Sequence, residues 1–77
     1  MDYRARSFKE LMDALRDVRH RDGELTQQQL ADRLGVSRSY VADMEAGRSN
    51  RAFDLMFDML RTLDLELVIR RRGGGHA

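Results

Sequence analysis

Between Phe8 and Arg21, the apolar residues Phe8, Leu11, Met12, Leu15 and Val18 recur every three or four positions among charged ones, which places them on one face of a helix. Ser7 followed by Glu10 forms a capping-box pattern at its start, and Asp22 with Gly23 closes it. Thr26 with Gln29 opens a second helix, whose inward side is Leu30, Ala31 and Leu34. Ala31 falls where this helix meets the next most closely, and only a small side chain lets two backbones approach. Gly35 ends the helix, because the residue just past a helix C-terminus often turns left-handed and glycine does so without a Cβ penalty. Ser37 then restarts the chain as N-cap of a third helix from about Arg38 to Ala46, with Val36 and Val41 closing the inside of the corner. This helix exposes Arg38, Ser39, Ala42 and Asp43, and Gly47 terminates it. Two short helices crossing at a tight turn make a tool for reading DNA.

The polar segment Arg48 to Arg51 leads into a fourth helix from about Ala52 to Leu63. Phe53, Met56, Phe57, Met59, Leu60 and Leu63 make it apolar over more than one stripe, which exceeds what one small core needs. Leu65, Leu67 and Ile69 then alternate at the two-residue period of a strand. No second strand is legible elsewhere, so the simplest partner for its backbone groups is the same strand of a second molecule. The expected fold is all-α, with four or five helices and a short C-terminal strand pairing across a dimer twofold. Met59, Leu63, Leu65, Leu67, Val68 and Ile69 form the expected dimer interface. The alternative is a frayed extension laid over the core. Residues 1–64 are then the helical domain, 65–70 the dimerisation strand and 71–77 a flexible tail, whose arginines touch a phosphate or stay solvated.

With 77 residues there is room for one domain. A chain this short buries only about two thirds of its unfolded surface and is marginal alone, so dimerisation would help it. It has no cysteine, hence no disulfide framework and no thiolate metal site, as suits a reducing cytoplasm. MDYRARSFKE lacks the roughly 7 to 15 apolar residues of a secretory signal, and nothing approaches the roughly 20 needed to span a bilayer. A soluble, cytoplasmic protein with no membrane association is expected.

The net charge of +1, from 14 basic and 13 acidic residues, does not by itself point to nucleic acid. The distribution does: Arg33, Arg38, Arg48 and Arg51 surround the third helix, where only Asp43 and Glu45 oppose them. Apart from Lys9 every Lys or Arg is arginine, from codon composition or because its planar fork suits phosphate and guanine. Nothing suggests an enzyme, a metal or a cofactor. His20 and His76 have no nucleophile or ligand set near them in sequence, and Gly73 to Gly75 are attached to no helix. Glu45 reads as a structural residue that pairs with a nearby arginine or a backbone amide. Met12, Met44, Met56 and Met59 fall on core spacings.

The segment Thr26 to Ser49, TQQQLADRLGVSRSYVADMEAGRS, resembles the helix-turn-helix of the XRE group, which includes the lambdoid phage repressors and Cro. Gln27, Leu30, Ala31, Gly35, Val36, Val41, Met44, Glu45 and Gly47 carry the match. Met56 to Arg70, MFDMLRTLDLELVIR, is similar to the end of HipB-type antitoxins, where a final helix runs directly into a short strand. The resemblance implies a repressor-like homodimer that binds double-stranded DNA at an inverted-repeat operator. Its HipB branch implies an antitoxin that also restrains a HipA-type serine/threonine kinase toxin and represses its own operon. Residue by residue, it implies that Arg38 and Ser39 meet base edges, joined by Tyr40 and Asp43. It further implies that Gln27, Ser37, Arg48, Ser49, Asn50 and Arg51 hold phosphates. Asn50 also fits a plain N-cap in a solvated turn. Arg16, Asp17, Arg19 and His20 form a charged outer side of the first helix, which faces either solvent or such a kinase. A stand-alone phage-type or metabolic repressor is the other reading.

Overall fold

The computed structural model describes residues 2–21, 23–48 and 50–72. Along the chain run β1 (Asp2–Ala5), α1 (Phe8–Arg21), α2 (Gln27–Leu34), α3 (Arg38–Glu45), α4 (Arg51–Thr62) and β2 (Leu67–Arg70). Each helix starts where a side chain can take up its first orphan amides. Ser7 Oγ accepts from the Glu10 amide at 3.1 Å, while the Glu10 carboxylate reaches back one residue further than a capping box requires, to the Arg6 amide. At α2 the box is complete, with Thr26 Oγ1 accepting from the Gln29 amide and Gln29 Oε1 from the Thr26 amide. Ser37 Oγ accepts from the Tyr40 amide, and Asn50 Oδ1 from the amides of Ala52 and Phe53. Asp22, expected to help close α1, lies outside the described residues.

Gly35 ends α2 with φ at 74°, and the following Val36 amide donates back to the Ala31 carbonyl at 3.0 Å. Ala31 has no exposed surface, as the corner between α2 and α3 requires. Gly47 ends α3 with φ at 69°, and a Cβ there would stand 3.0 Å from the Lys9 Cα. The end of α3 therefore lies directly against the start of α1, and any side chain there would be strained and would have to displace Lys9.

The C-terminal strand does not wait for a second molecule. β2 pairs antiparallel with β1 of its own chain, with Asp2 opposite Arg70, Tyr3 opposite Ile69, Arg4 opposite Val68 and Ala5 opposite Leu67. The expectation that no second strand exists was incorrect, because Tyr3 and Ala5 supply a strand too short and too charged to be read alone. Tyr3 Oη donates to Asp17 Oδ2 at 2.6 Å, and Arg4 pairs with Glu66 at 3.3 Å, which fixes the strand on α1 and across the sheet. Asp64, with φ at 59°, and the Leu65 amide, donating to the Leu60 carbonyl, turn the chain back from α4 into β2. Leu65 thus lies in the turn, and the strand starts at Leu67.

Ala5, Phe8, Met12 and Phe57 form the core cluster, with Leu11, Met56, Leu60, Leu67 and Ile69 packed around it. Phe8 and Phe53 stack with ring centroids 4.6 Å apart. Two residues assigned to a dimer interface, Leu67 and Ile69, therefore belong to the chain's own core. Their inward turn follows from the period of two, which puts Val68 on the other side of the sheet. Met59, Leu63, Leu65 and Val68 are exposed.

Candidate nucleic-acid interface

α3 is anchored by a buried ion pair at its far end. Arg19 of α1 donates from Nε to Glu45 Oε2 at 2.6 Å and from Nη2 to Oε1 at 2.9 Å, and its Nη1 donates to the Leu25 carbonyl at 2.6 Å. The fork satisfies both carboxylate oxygens, and the two side chains are only 11% and 6% exposed. Glu45 accepts a third bond from Gln27 Nε2 at 3.0 Å, and Gln27 Oε1 in turn accepts from Arg38 Nη1 at 3.3 Å. A polar chain thus runs from α1, through the end of α3 and the start of α2, out to the first residue of α3.

Glu45 matches its expected role as a structural acid paired with an arginine. The same bridge corrects the placement of Arg19, which is turned inward and does not belong to the charged outer side of α1. Its position carried a signal, since it lies seven residues after Met12 and four after Leu15, on the apolar side of the helix. Arg16 and His20 are exposed, while Asp17 is half-buried beneath Tyr3. Gln27, expected to hold a phosphate, is half-buried at the start of α2, where its amide donates to Glu45 and its carbonyl accepts from Arg38.

Burial alone raises the Glu45 pKa, but the hydrogen bonds from Arg19 and Gln27 and the charges of Arg19 and Arg16 outweigh it and hold the carboxyl below its ordinary value. Below the unfolded-state pKa, about 4.3, the unfolded chain therefore takes up the proton first. The stability from this group is present above that range and is lost as pH falls through the folded value. Melting temperatures followed from about pH 6 to about pH 3 should drop on acidification, and Glu45→Gln should flatten that slope. Identical slopes in both proteins would contradict it.

Val41 and Glu45, four residues apart, define the buried side of α3, which turns Ser39 and Asp43 to the opposite side. Arg38, Ser39, Asp43 and Tyr40 are all exposed, Tyr40 at 58%. Arg48 and Arg51 are exposed at the loop that follows. Ser37 and Asn50, counted among phosphate contacts, serve as N-caps, and Ser49 lies outside the described residues. The helix-turn-helix domain family matches residues 10–71, from the first turn of α1 to the residue after β2. The chain belongs to that family. Helix-turn-helix domains are DNA-binding modules whose second helix enters the major groove, and α2 and α3, joined by the turn at Gly35, are the two helices of that motif here. No curated protein and no solved structure matches the chain. Among the described residues no helix is long and apolar enough to cross a membrane.

Proposed function

We propose that this helix-turn-helix protein is a sequence-specific transcriptional repressor, acting as a homodimer on an inverted-repeat operator. We further propose that it is the antitoxin of a HipA-type kinase toxin whose operon it represses. The observation that carries the repressor reading is the outward side of α3. Arg38, Ser39, Tyr40 and Asp43 stand exposed on a helix whose other side is tied to α1 through Glu45. Two such helices related by a twofold meet successive major grooves about 34 Å apart. The four residues read base edges. Arg48, Arg51 and the loop of Ser49 and Asn50 set the register on phosphates, with Ser37 and the amides opening α2 and α3. Gln27 contributes by aligning Arg38.

Among the described residues β2 pairs with β1 along one edge, and its other edge supports pairing with the β2 of a second copy, beside Leu65 and Val68. The antitoxin part rests on the resemblance of Met56 to Arg70 to HipB ends, and α4 does pass through a single turn into β2.

Enrichment of bound duplexes from a random pool should return an inverted repeat with half-sites about one helical turn apart. A site without twofold symmetry would overturn the reading. Arg38→Ala should lose about 1–3 kcal/mol on that site and flatten the preference, whereas Arg48→Ala should weaken all sequences alike and lower the salt slope by about one unit. Equal loss by Arg38→Ala on selected and scrambled DNA would remove its base-reading role. A HipA-type kinase encoded beside the protein should co-purify with it on co-expression. Absence of that complex would remove the antitoxin part and leave the repressor.

A further inference from the structure

α3 carries two acids, and only one of them has a structural use. Glu45 is buried and takes the Arg19 fork, whereas Asp43 is exposed and its side chain makes no hydrogen bond or ion pair among the described residues. The helix gains nothing from that charge. Residues three and four positions away are Tyr40, Ala46, Ser39 and Gly47, none of them basic, so no pair along the helix offsets it. Asp43 also lies in the second half of the eight-residue α3, toward the end where the helix dipole disfavours a negative charge. Arg38 does not compensate it, because its Nη1 is turned to the other flank and donates to Gln27. Arg48 lines one hollow with Asp43 without pairing to it. With Val41 and Glu45 inward, Ser39 and Asp43 stand one turn apart on the outward side, which a helix-turn-helix presents to base edges.

In a major groove a carboxylate has few places to go. It accepts and never donates, and phosphates repel it. Guanine offers N7 and O6, both acceptors, and thymine offers O4 beside a methyl group. Only cytosine N4 and adenine N6 carry hydrogens there. Adenine N6 is flanked by the N7 acceptor, which repels the second carboxylate oxygen, while cytosine N4 has a C–H on that side.

We propose that Asp43 assigns a cytosine to one position of each half-site, by accepting a hydrogen bond from the N4 amino group in the major groove. The inference deepens the repressor reading above and rests on it, by naming the base that one of its four reading residues takes. Asp43 acts by exclusion as much as by attraction, since opposite guanine or thymine its charge meets an acceptor and no donor. Removing the carboxylate therefore has opposite signs on right and wrong sites.

Duplexes enriched from a random pool by the parent, Asp43→Ala and Asp43→Asn proteins test this. Parent sites should hold a cytosine at one symmetric pair of positions. Asp43→Ala should lose the preference at that pair alone, and Asp43→Asn should move it to adenine, because a carboxamide both accepts and donates and so matches N6 and N7. Changing the C·G pair there to T·A should weaken the parent by about 5- to 150-fold per half-site, the range of one mismatched base pair, and should leave Asp43→Ala nearly unaffected. On scrambled duplex Asp43→Ala should bind more tightly than the parent. The circular dichroism of all three should coincide, because the position is exposed. Base preferences unmoved by both substitutions would overturn the assignment, as would an adenine at the responding position of the parent site. An equal loss by Asp43→Ala on every duplex would show that Asp43 holds Arg48 in place, and would overturn it too. In each of these failures the parent still enriches an inverted repeat. Failure of the repressor reading looks different, since the parent then enriches no such site and the assignment falls with it.

Discussion

Arg19→Ala is expected to remove most of the folding stability of the chain. The guanidinium and the Glu45 carboxylate are both almost entirely withdrawn from water and bonded at 2.6 and 2.9 Å. Removing one partner of such a pair leaves the other charge buried and uncompensated, which costs about 3–5 kcal/mol. Small domains have only about 5 kcal/mol at the low end of native stability, so the loss is close to the whole. The Leu25 carbonyl also loses its donor, and with it the segment that joins α1 to α2. Urea unfolding followed by circular dichroism should show the midpoint collapse. A loss under about 1 kcal/mol would mean that the pair behaves as a solvated surface bridge. Replacing both residues by methionine separates charge from packing, because a buried ion pair exchanged for apolar side chains of similar volume is often neutral or stabilising. The R19M/E45M protein should fold. It should nonetheless bind operator more weakly, since Gln27 then lacks the acceptor that sets its position under Arg38.

The four helices were legible because the signals that make them are local. Thr26, Ser37 and Asn50 act on amides two or three residues away, and Gly35 and Gly47 act on their own φ angles. The bounds of α2 follow directly from Thr26 and Gly35, and the start of α1 from Ser7. Features that depend on distant partners were not legible. β1 spans four residues of which two are charged, and its partner lies more than sixty positions away, so only the assembled sheet reveals it. Arg19 shows the same limit, since its helical phase places it inward but gives no hint of the carboxylate from α3 that makes inward placement tolerable. Gln27 was read for its place at a helix N-terminus, and Glu45 claims its amide across the corner. The excess of apolar positions on α4 was visible in the sequence, whereas the choice of Phe57 for the core is made only by its packing against Ala5, Phe8 and Met12.

Phe57→Ala is expected to cost about 3–5 kcal/mol, the range for truncating a buried aromatic ring. Phe57 is 2% exposed and lies in the cluster with Ala5, Phe8 and Met12, so it joins α4 to both α1 and the sheet. The cavity left behind cannot collapse easily. Ala5 is held by its pairing with Leu67, and the Phe8 ring is held by its stack on Phe53. The corner of α2 and α3 relies on other residues, with Ala31 and Val41 buried outside that cluster and Glu45 bonded to Arg19. Local opening should therefore be uneven. Hydrogen exchange on Phe57→Ala should show amides of β1, β2 and α4 losing protection first, while those of α2 and α3 exchange only with global unfolding. Uniform loss across the chain would mean that the sheet and the DNA-binding corner form one cooperative unit. A change under about 1 kcal/mol would mean that the neighbouring side chains close over the missing ring and leave no cavity.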